Sequence, residues 1–360
     1  MVLTSFNMFF LNNEHEKITF RLVGEYGGSS CVKAASLIFG ENGTGKTMLG
    51  RAMMDIVSYL TDRHVHRYHL EGFNNFDCSV SFAYTFFLLS CRVEYRYTRV
   101  MSGMMMEEEL LIDDRVIVSY NHTTHYGFDE LKEETVIRNL EGRNMSFLKY
   151  IMRNNFHING RYNEILSRFG SYVEGMSFFE IPEILHADEP THRKKWTKKI
   201  IDQGRVKSFE QFLHNFNVKG IVTETNGRID EPKISWKINN KQVDFFSMAS
   251  SSTVTLATLY PIISEIQKYS FLYIDNFDVY LSPLIARQIL HEFMGGSTQI
   301  VLTTHNTSLI DTALLKPECY FTFTSAGVSA FSSSTSKELR EEHNLEKLYR
   351  AGHFNNNNIL

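Results

Sequence analysis

The chain has 360 residues, 43% of them apolar and 22% charged, which suits a globular protein of one large domain or a domain carrying an insertion. Its net charge of −4 gives no overall electrostatic case for nucleic acid, so any such contact has to be a local patch. No apolar run reaches the length of a membrane span, and MVLTSFNMFF has neither a basic start nor a cleavage site. The expectation is a cytoplasmic protein whose scattered Cys31, Cys78, Cys91 and Cys319 are reduced thiols.

In chain order, Ile18-Thr19-Phe20-Arg21-Leu22-Val23 predicts a strand, and Ala34-Ala35-Ser36-Leu37-Ile38-Phe39 a buried one. Directly after it comes Gly40-Glu41-Asn42-Gly43-Thr44-Gly45-Lys46-Thr47, which fits the phosphate-binding pattern G-x-x-x-x-G-K-[ST]. From Met48 to Leu60, the apolar residues Leu49, Ala52, Met53, Ile56, Val57 and Leu60 recur at helical spacing. The motif therefore sits between a strand and a helix, where backbone N–H groups and a helix N-terminus can close around phosphate oxygens. Lys46 is placed to reach the β- and γ-phosphates and Thr47 to ligate Mg²⁺. Ser79 to Tyr97 reads as two strands turning near Ser90-Cys91, and Met104 to Val118 as further sheet with an Asp113-Asp114 turn.

The period then changes. Tyr162, Ile165, Leu166, Phe169 and Val173 share a helical face, as do Phe209, Phe212, Leu213 and Phe216, with Ser208 and Gln211 spaced as a capping box. Residues 125–218 read as a mostly helical insertion, followed by a hairpin with arms Ile221-Val222-Thr223 and Ile234 to Ile238 and a bend at Asn226-Gly227. The last third alternates again. Phe271 to Ile274 and Gln299 to Thr303 are strand candidates, and Ser282 and Pro283 open a helix running to about Phe293. That alternation implies a parallel sheet covered by helices.

Asp275 ends the strand 271–274, an apolar run closed by a carboxylate that can hold a metal through its waters; the ordinary alternative is a turn residue. Ala249-Ser250-Ser251-Ser252-Thr253 lies about 25 residues before it, and Thr303-Thr304-His305-Asn306 about 30 residues after it. This order resembles the ABC-type ATPases, in the soluble SMC-like and OLD-like branch, and especially the AAA-family ATPases of bacterial anti-phage systems (abortive infection, Septu, PARIS and retron-associated). The likeness runs over nearly the whole chain, including IFGENGTGKT, FFSMASSSTVTLATLYPII, LYIDNFDVYLSP and IVLTTHNTSLID.

The resemblance implies an α/β, ABC-type P-loop NTPase head with an N-terminal β-rich lobe and a helical insertion. Residues 1–124 form the lobe with the P-loop and 125–245 the insertion plus hairpin. Residues 246–360 carry the signature, Asp275 and His305, and make one composite domain with 1–124. It implies ATP and Mg²⁺ as cofactors, with Gly40 to Thr47 binding phosphate and Thr47 and Asp275 holding the metal. His305 contacts the γ-phosphate and attacking water, and Asp278 begins a dimer-contacting loop. Ser250, Ser251, Ser252 and Thr253 reach the ATP held by a second copy, for which a plain loop or helix start is the alternative. The expected partners are a second copy and a separate effector, such as a nuclease or toxin.

Two positions depart from that family. It places Glu after the metal-binding Asp, whereas this chain has Asn276, and an amide cannot accept a proton. It places Gly where Ser252 stands. Both departures point to slow hydrolysis and a long-lived ATP-bound dimer, with Asp278 or His305 as rival bases. Elsewhere, His192-Arg193-Lys194-Lys195-Trp196-Thr197-Lys198-Lys199 could track a phosphate backbone and stack a base, or be a solvated helix face. A DNA-binding clamp using this cluster and a non-hydrolysing scaffold are the two other function classes. His64, His66 and His69 lack the company expected of a metal site, and Met104-Met105-Met106 reads as packing.

Overall fold

The computed structural model describes residues 2–10, 17–21, 23–26, 29–32, 35–63, 79–100, 103–129, 145–154, 160–186, 197–226, 232–239, 241–294, 296, 298–310, 315–324, 327–331 and 344–354. Two large sheets dominate them. A seven-stranded antiparallel sheet has the order Tyr126–Asp129, Arg115–Asn121, Met105–Ile112, Cys91–Val100, Ser79–Leu88, Val2–Phe10, Lys17–Arg21. A six-stranded sheet has the order Met176–Glu180, Phe271–Asp275, Gln299–Thr304, Ala35–Phe39, Tyr320–Thr324, Gly327–Ala330. Its first five strands are parallel and the last antiparallel.

Alternation builds the antiparallel sheet. Val80, Phe82, Tyr84, Phe86 and Leu88 are buried, and the register pairs Phe82 with Tyr97, Tyr84 with Tyr95 and Phe86 with Val93. Its tight turns use left-handed residues: Leu89 and Ser90 at φ 48° and 64°, Asp113 and Asp114 at φ 50° and 66°. In the parallel sheet, Ala35–Phe39, Phe271–Asp275 and Gln299–Thr304 are buried at every residue, as strands covered on both faces must be. Gln299 ties the sheets together: its amide N–H donates to the Leu3 carbonyl (2.8 Å), and its Oε1 accepts from Leu3 N (3.0 Å) and the Tyr172 hydroxyl (2.6 Å).

The middle of the chain departs from the expected insertion. Helix Gly160–Glu174 buries Ile165, Leu166, Phe169 and Val173 as their spacing predicts, but Phe169 meets Phe86 and Tyr95 of the antiparallel sheet. Met176–Glu180 then pairs with Phe271–Asp275 as an edge of the parallel sheet. Five residues are too few to reveal a period, so this strand was hidden between helical segments. The expected capping box does not form either. Helix Val206–Asn215 follows Arg205, which places Ser208 inside the first turn rather than at the cap. The hairpin is present as Ile221–Asn226 against Pro232–Ile238, with Lys241–Asp244 as a third strand. Helix 48–60 is two pieces, Lys46–Met53 and Asp55–Leu60.

Of the basic cluster, residues 192–196 lie outside the described residues, as do His64, His66 and His69. Lys199 donates to Glu265 at 2.5 Å, so this cation is committed within the chain. Burial pushes the Glu265 carboxyl up, but hydrogen bonds from Lys199, Lys268 and Gln203 outweigh it and hold the pKa down at about 2. Met105 is buried and Met104 exposed, so only part of that run is packing. Among the described residues, no helix is long and apolar enough to cross a membrane.

Candidate functional site

The phosphate-binding pattern forms the turn from Ala35–Phe39 into helix Lys46–Met53. Gly45 sits at φ 106°, which a side chain rarely adopts. A Cβ at Gly50 would come 2.5 Å from Tyr273 and 2.6 Å from Phe178, so the helix lies directly on the parallel sheet. The Tyr273 hydroxyl fixes it further by donating to the Lys46 carbonyl (2.5 Å). Lys46 is 5% exposed, and its ammonium spans the loop to the carbonyls of Gly40 (2.8 Å) and Glu41 (2.9 Å). Burial lowers its pKa, and Asp275 opposes that shift.

The second half of the site comes from two adjacent strand ends, 228 residues further along the chain for the Thr47–Asp275 pair. Asp275 is fully buried. Its carboxylate accepts from the Thr47 hydroxyl at 2.6 Å and from the Thr303 hydroxyl at 2.6 Å. A buried carboxylate and a hydroxyl in contact at the end of the phosphate-binding loop are hard oxygen donors. They fit magnesium, which uses one or two carboxylates and otherwise waters and phosphate. No group of three or more His, Cys, Asp or Glu occurs among the described residues, so the donor set does not resemble a zinc or multi-carboxylate centre.

Asn276 has φ 50° and donates its backbone N–H to Thr303 Oγ1 (2.9 Å). Asn is one of few residues other than glycine that visit this region, and other side chains cost roughly 1–2 kcal/mol there. The backbone thus gives a physical reason for Asn where the resembling family has Glu. Asp278 is half-buried in the next turn and accepts from the Thr304 hydroxyl (2.7 Å); desolvation raises its pKa above the usual carboxylate value. Burial and the Lys46 charge lower the His305 pKa, which Asp275 and a hydrogen bond with the Gly40 backbone oppose. The net shift favours the neutral imidazole. Asn42, Pro182, Asn276, Asp278, His305 and Asn306 share the wall of a cleft of about 580 Å³.

The serine run stands apart from that cleft. Ser250 caps helix Ser251–Ser264, its hydroxyl accepting from Thr253 N at 3.2 Å. Ser250 and Ser251 are exposed, Ser252 is half-buried and Thr253 is 7% exposed. Thr255 Oγ1 lies 3.0 Å from the carbonyls of both Ser251 and Val279, joining this helix to the loop after Asp278. None of residues 250–253 is in the wall of the cleft that holds His305.

Three polar residues gained a role that the motifs alone did not assign. Thr303 and Thr304 hold the two carboxylates, and the available signal was a pair of hydroxyls at the end of a wholly buried strand, where each needs a partner. Glu180 had no signal, because its strand was not recognised. It ends Met176–Glu180, accepts from Arg51 at 2.5 Å, and lies beside Asp275 in the ladder.

Comparison with known proteins agrees on the architecture. A family model described as "AAA domain, putative AbiEii toxin, Type IV TA system" matches residues 189–311, about a third of the chain. No curated protein matches. Among solved structures, an SMC head bound to the C-winged helix domain of ScpA is similar at 11% identity and TM-score 0.51, over 91% of this chain and 96% of that one. An SMC head domain from Thermotoga maritima is similar at 13% identity and TM-score 0.43, over 91% and 98%. The recombination mediator RecF shows 13% identity and TM-score 0.40, over 91% and 98%. The chain has a mixed α/β fold of the P-loop NTPase kind, shared with that ScpA-bound SMC head at 11% identity.

Proposed function

We propose that this chain is an ATPase that closes as a dimer around ATP and hydrolyses it slowly. The observation that carries this reading is the Thr47–Asp275 contact at 2.6 Å, beneath a phosphate-binding loop whose lysine is buried against its own carbonyls. ATP phosphates would replace those carbonyls as the partners of Lys46. Magnesium, held by Thr47 and Asp275, would neutralise charge on the phosphates. His305 is beside the loop, where its imidazole can hydrogen-bond the γ-phosphate or its water.

The exposed Ser250 and Ser251, with half-buried Ser252, are not in the wall of this chain's own cleft and would suit the ATP of a second copy. Thr253 is turned inward and supports the cap instead. Asn276 cannot accept the proton of the attacking water, and loss of a base lowers rates by about 10²–10⁴-fold. ATP then acts mainly as an adhesive between copies, and its hydrolysis as a timer.

The partner in this reading is a separate effector, a nuclease or toxin, restrained or presented by the ATP-bound dimer during anti-phage defence in the cytoplasm. The family model over residues 189–311 and the SMC head seen with a domain of ScpA support a head that acts on other chains. No structural observation favours the DNA clamp: Lys199 is engaged by Glu265 and residues 192–196 lie outside the described residues. Calorimetry with Mg²⁺ and ATP, followed by phage plating on cells carrying the gene with its neighbours, tests the proposal. With Lys46→Ala, ATP binding should weaken by roughly 100-fold and protection should vanish. Protection that persists in that variant contradicts it.

A further inference from the structure

The cleft lacks a proton acceptor at position 276, yet a second carboxylate ends the neighbouring strand. In the parallel ladder Phe178 pairs with Tyr273 and Glu180 with Asp275. Side chains alternate along a strand, so these four share one face. The close approach of Gly50 to both Phe178 and Tyr273 shows that this is the face covered by the P-loop helix. Paired residues on adjacent strands lie about 4.8 Å apart, so Glu180 starts one strand-width from the carboxylate that marks the metal position.

The helix grips the two acids in parallel. Thr47 holds Asp275 at 2.6 Å, and Arg51, four residues on and so on the same helix face, holds Glu180 at 2.5 Å. The Glu180 side chain is 19% exposed and that of Arg51 25%, so neither is sealed in the core. Pro182, two residues after Glu180, is in the cleft wall with Asn276 and His305. Glu180 itself is not in that wall, but the segment it ends runs directly into it. Arg51 engages one oxygen of the Glu180 carboxylate, Oε2, and the adjacent positive charge makes that carboxylate a weaker proton acceptor.

We propose that Glu180 is the proton acceptor for ATP hydrolysis in this chain, and that Arg51 is a latch that must release it first. This rests on reading the cleft as the ATP site. In the step, the water oxygen bonds to the γ-phosphorus while the bond from that phosphorus to the β–γ bridging oxygen breaks. The electron pair leaves on ADP, and the water proton passes to the Glu180 carboxylate and then to solvent. The latch gives slow turnover a cause besides Asn276.

The test uses the full chain with Mg²⁺ and ATP, measuring phosphate release, ATP affinity by calorimetry and the thermal midpoint for Glu180→Gln, Arg51→Met and the double variant. Glu180→Gln is expected to lower kcat by about 10²-fold with unchanged ATP affinity. Arg51→Met is expected to raise kcat, and the double variant to match Glu180→Gln. Arg51→Lys, which keeps the charge but loses the fork, serves if Arg51→Met does not fold, and should raise kcat less. A structural ion pair would move both single variants the same way, together with the thermal midpoint, and that result overturns the proposal. So does a Glu180→Gln protein that turns over like the wild type, or a wild type that binds ATP and releases no phosphate. Absent ATP binding refutes the reading of the cleft itself.

Discussion

From Ser79 to Asp129 each strand of the antiparallel sheet pairs with the next one along the chain. In the parallel sheet, by contrast, Ala35–Phe39 lies between Gln299–Thr304 and Tyr320–Thr324. The first arrangement needs only local turns, and it spends its side chains on an aromatic core. The second assembles remote segments so that their carboxyl ends converge, and there it places Lys46, Thr47, Asp275, Asp278 and His305. Both sheets carry buried core, so the division is one of pairing and of site: only the second gathers the candidate residues at its strand ends. A ligand site at the carboxyl ends of parallel strands is the general expectation for such folds.

The sharpest way to break this division is Lys46→Ala. It should weaken ATP binding by about 3 kcal/mol, roughly 100-fold, since a buried charged partner of phosphate is lost, and leave the thermal midpoint near the wild-type value. A collapse of stability in that variant would show that the site also holds the fold. Glu108→Ala is the reciprocal experiment in the antiparallel sheet. Glu108 is 1% exposed and accepts from Tyr95 OH (2.9 Å), Ser146 Oγ (2.7 Å) and the backbone N–H groups of Phe147 and Leu148. Its removal should cost about 3 kcal/mol in denaturant unfolding, because buried donors lose their acceptor, without changing ATP affinity.

Asn276→Glu sharpens the comparison inside the parallel sheet. The left-handed backbone should make it less stable by roughly 1–2 kcal/mol, whereas Asn276→Gly should be tolerated. Equal stability of Asn276→Glu and the wild type would mean that the backbone does not select Asn. The smallest effect concerns Asp278, whose pKa burial raises. A raised folded-state pKa contributes stability at low pH that is lost as pH rises through it. Asp278→Asn should therefore gain in thermal midpoint over the wild type at pH 7, and that gain should shrink towards pH 4. A gain independent of pH would contradict the shift.

Legibility in the sequence followed the same division. The hairpins at Leu89-Ser90 and Asp113-Asp114 were readable because alternation and turn residues are local signals. That Lys46, Asp275 and His305 follow the ends of adjacent parallel strands was readable, because each adjoins an apolar run that predicts a buried strand. Met176–Glu180 was not, since a short strand buried beside a helix has no period of its own and its pairing is non-local. With it went Glu180 and its partner Arg51. The serine run was readable as polar, but only the cap on Ser251–Ser264 separates exposed Ser250 and Ser251 from inward Thr253.

The central claim is that ATP joins two copies, each Lys46 facing the other copy's serine segment. Sedimentation velocity of the purified chain with Mg²⁺, with and without ATP, tests it most directly. The account predicts a dimer or larger assembly that forms with ATP and is lost in both Lys46→Ala and Ser251→Arg, the second of which should still bind ATP. An ATP-bound chain that sediments as a monomer, or an assembly indifferent to both substitutions, would contradict it.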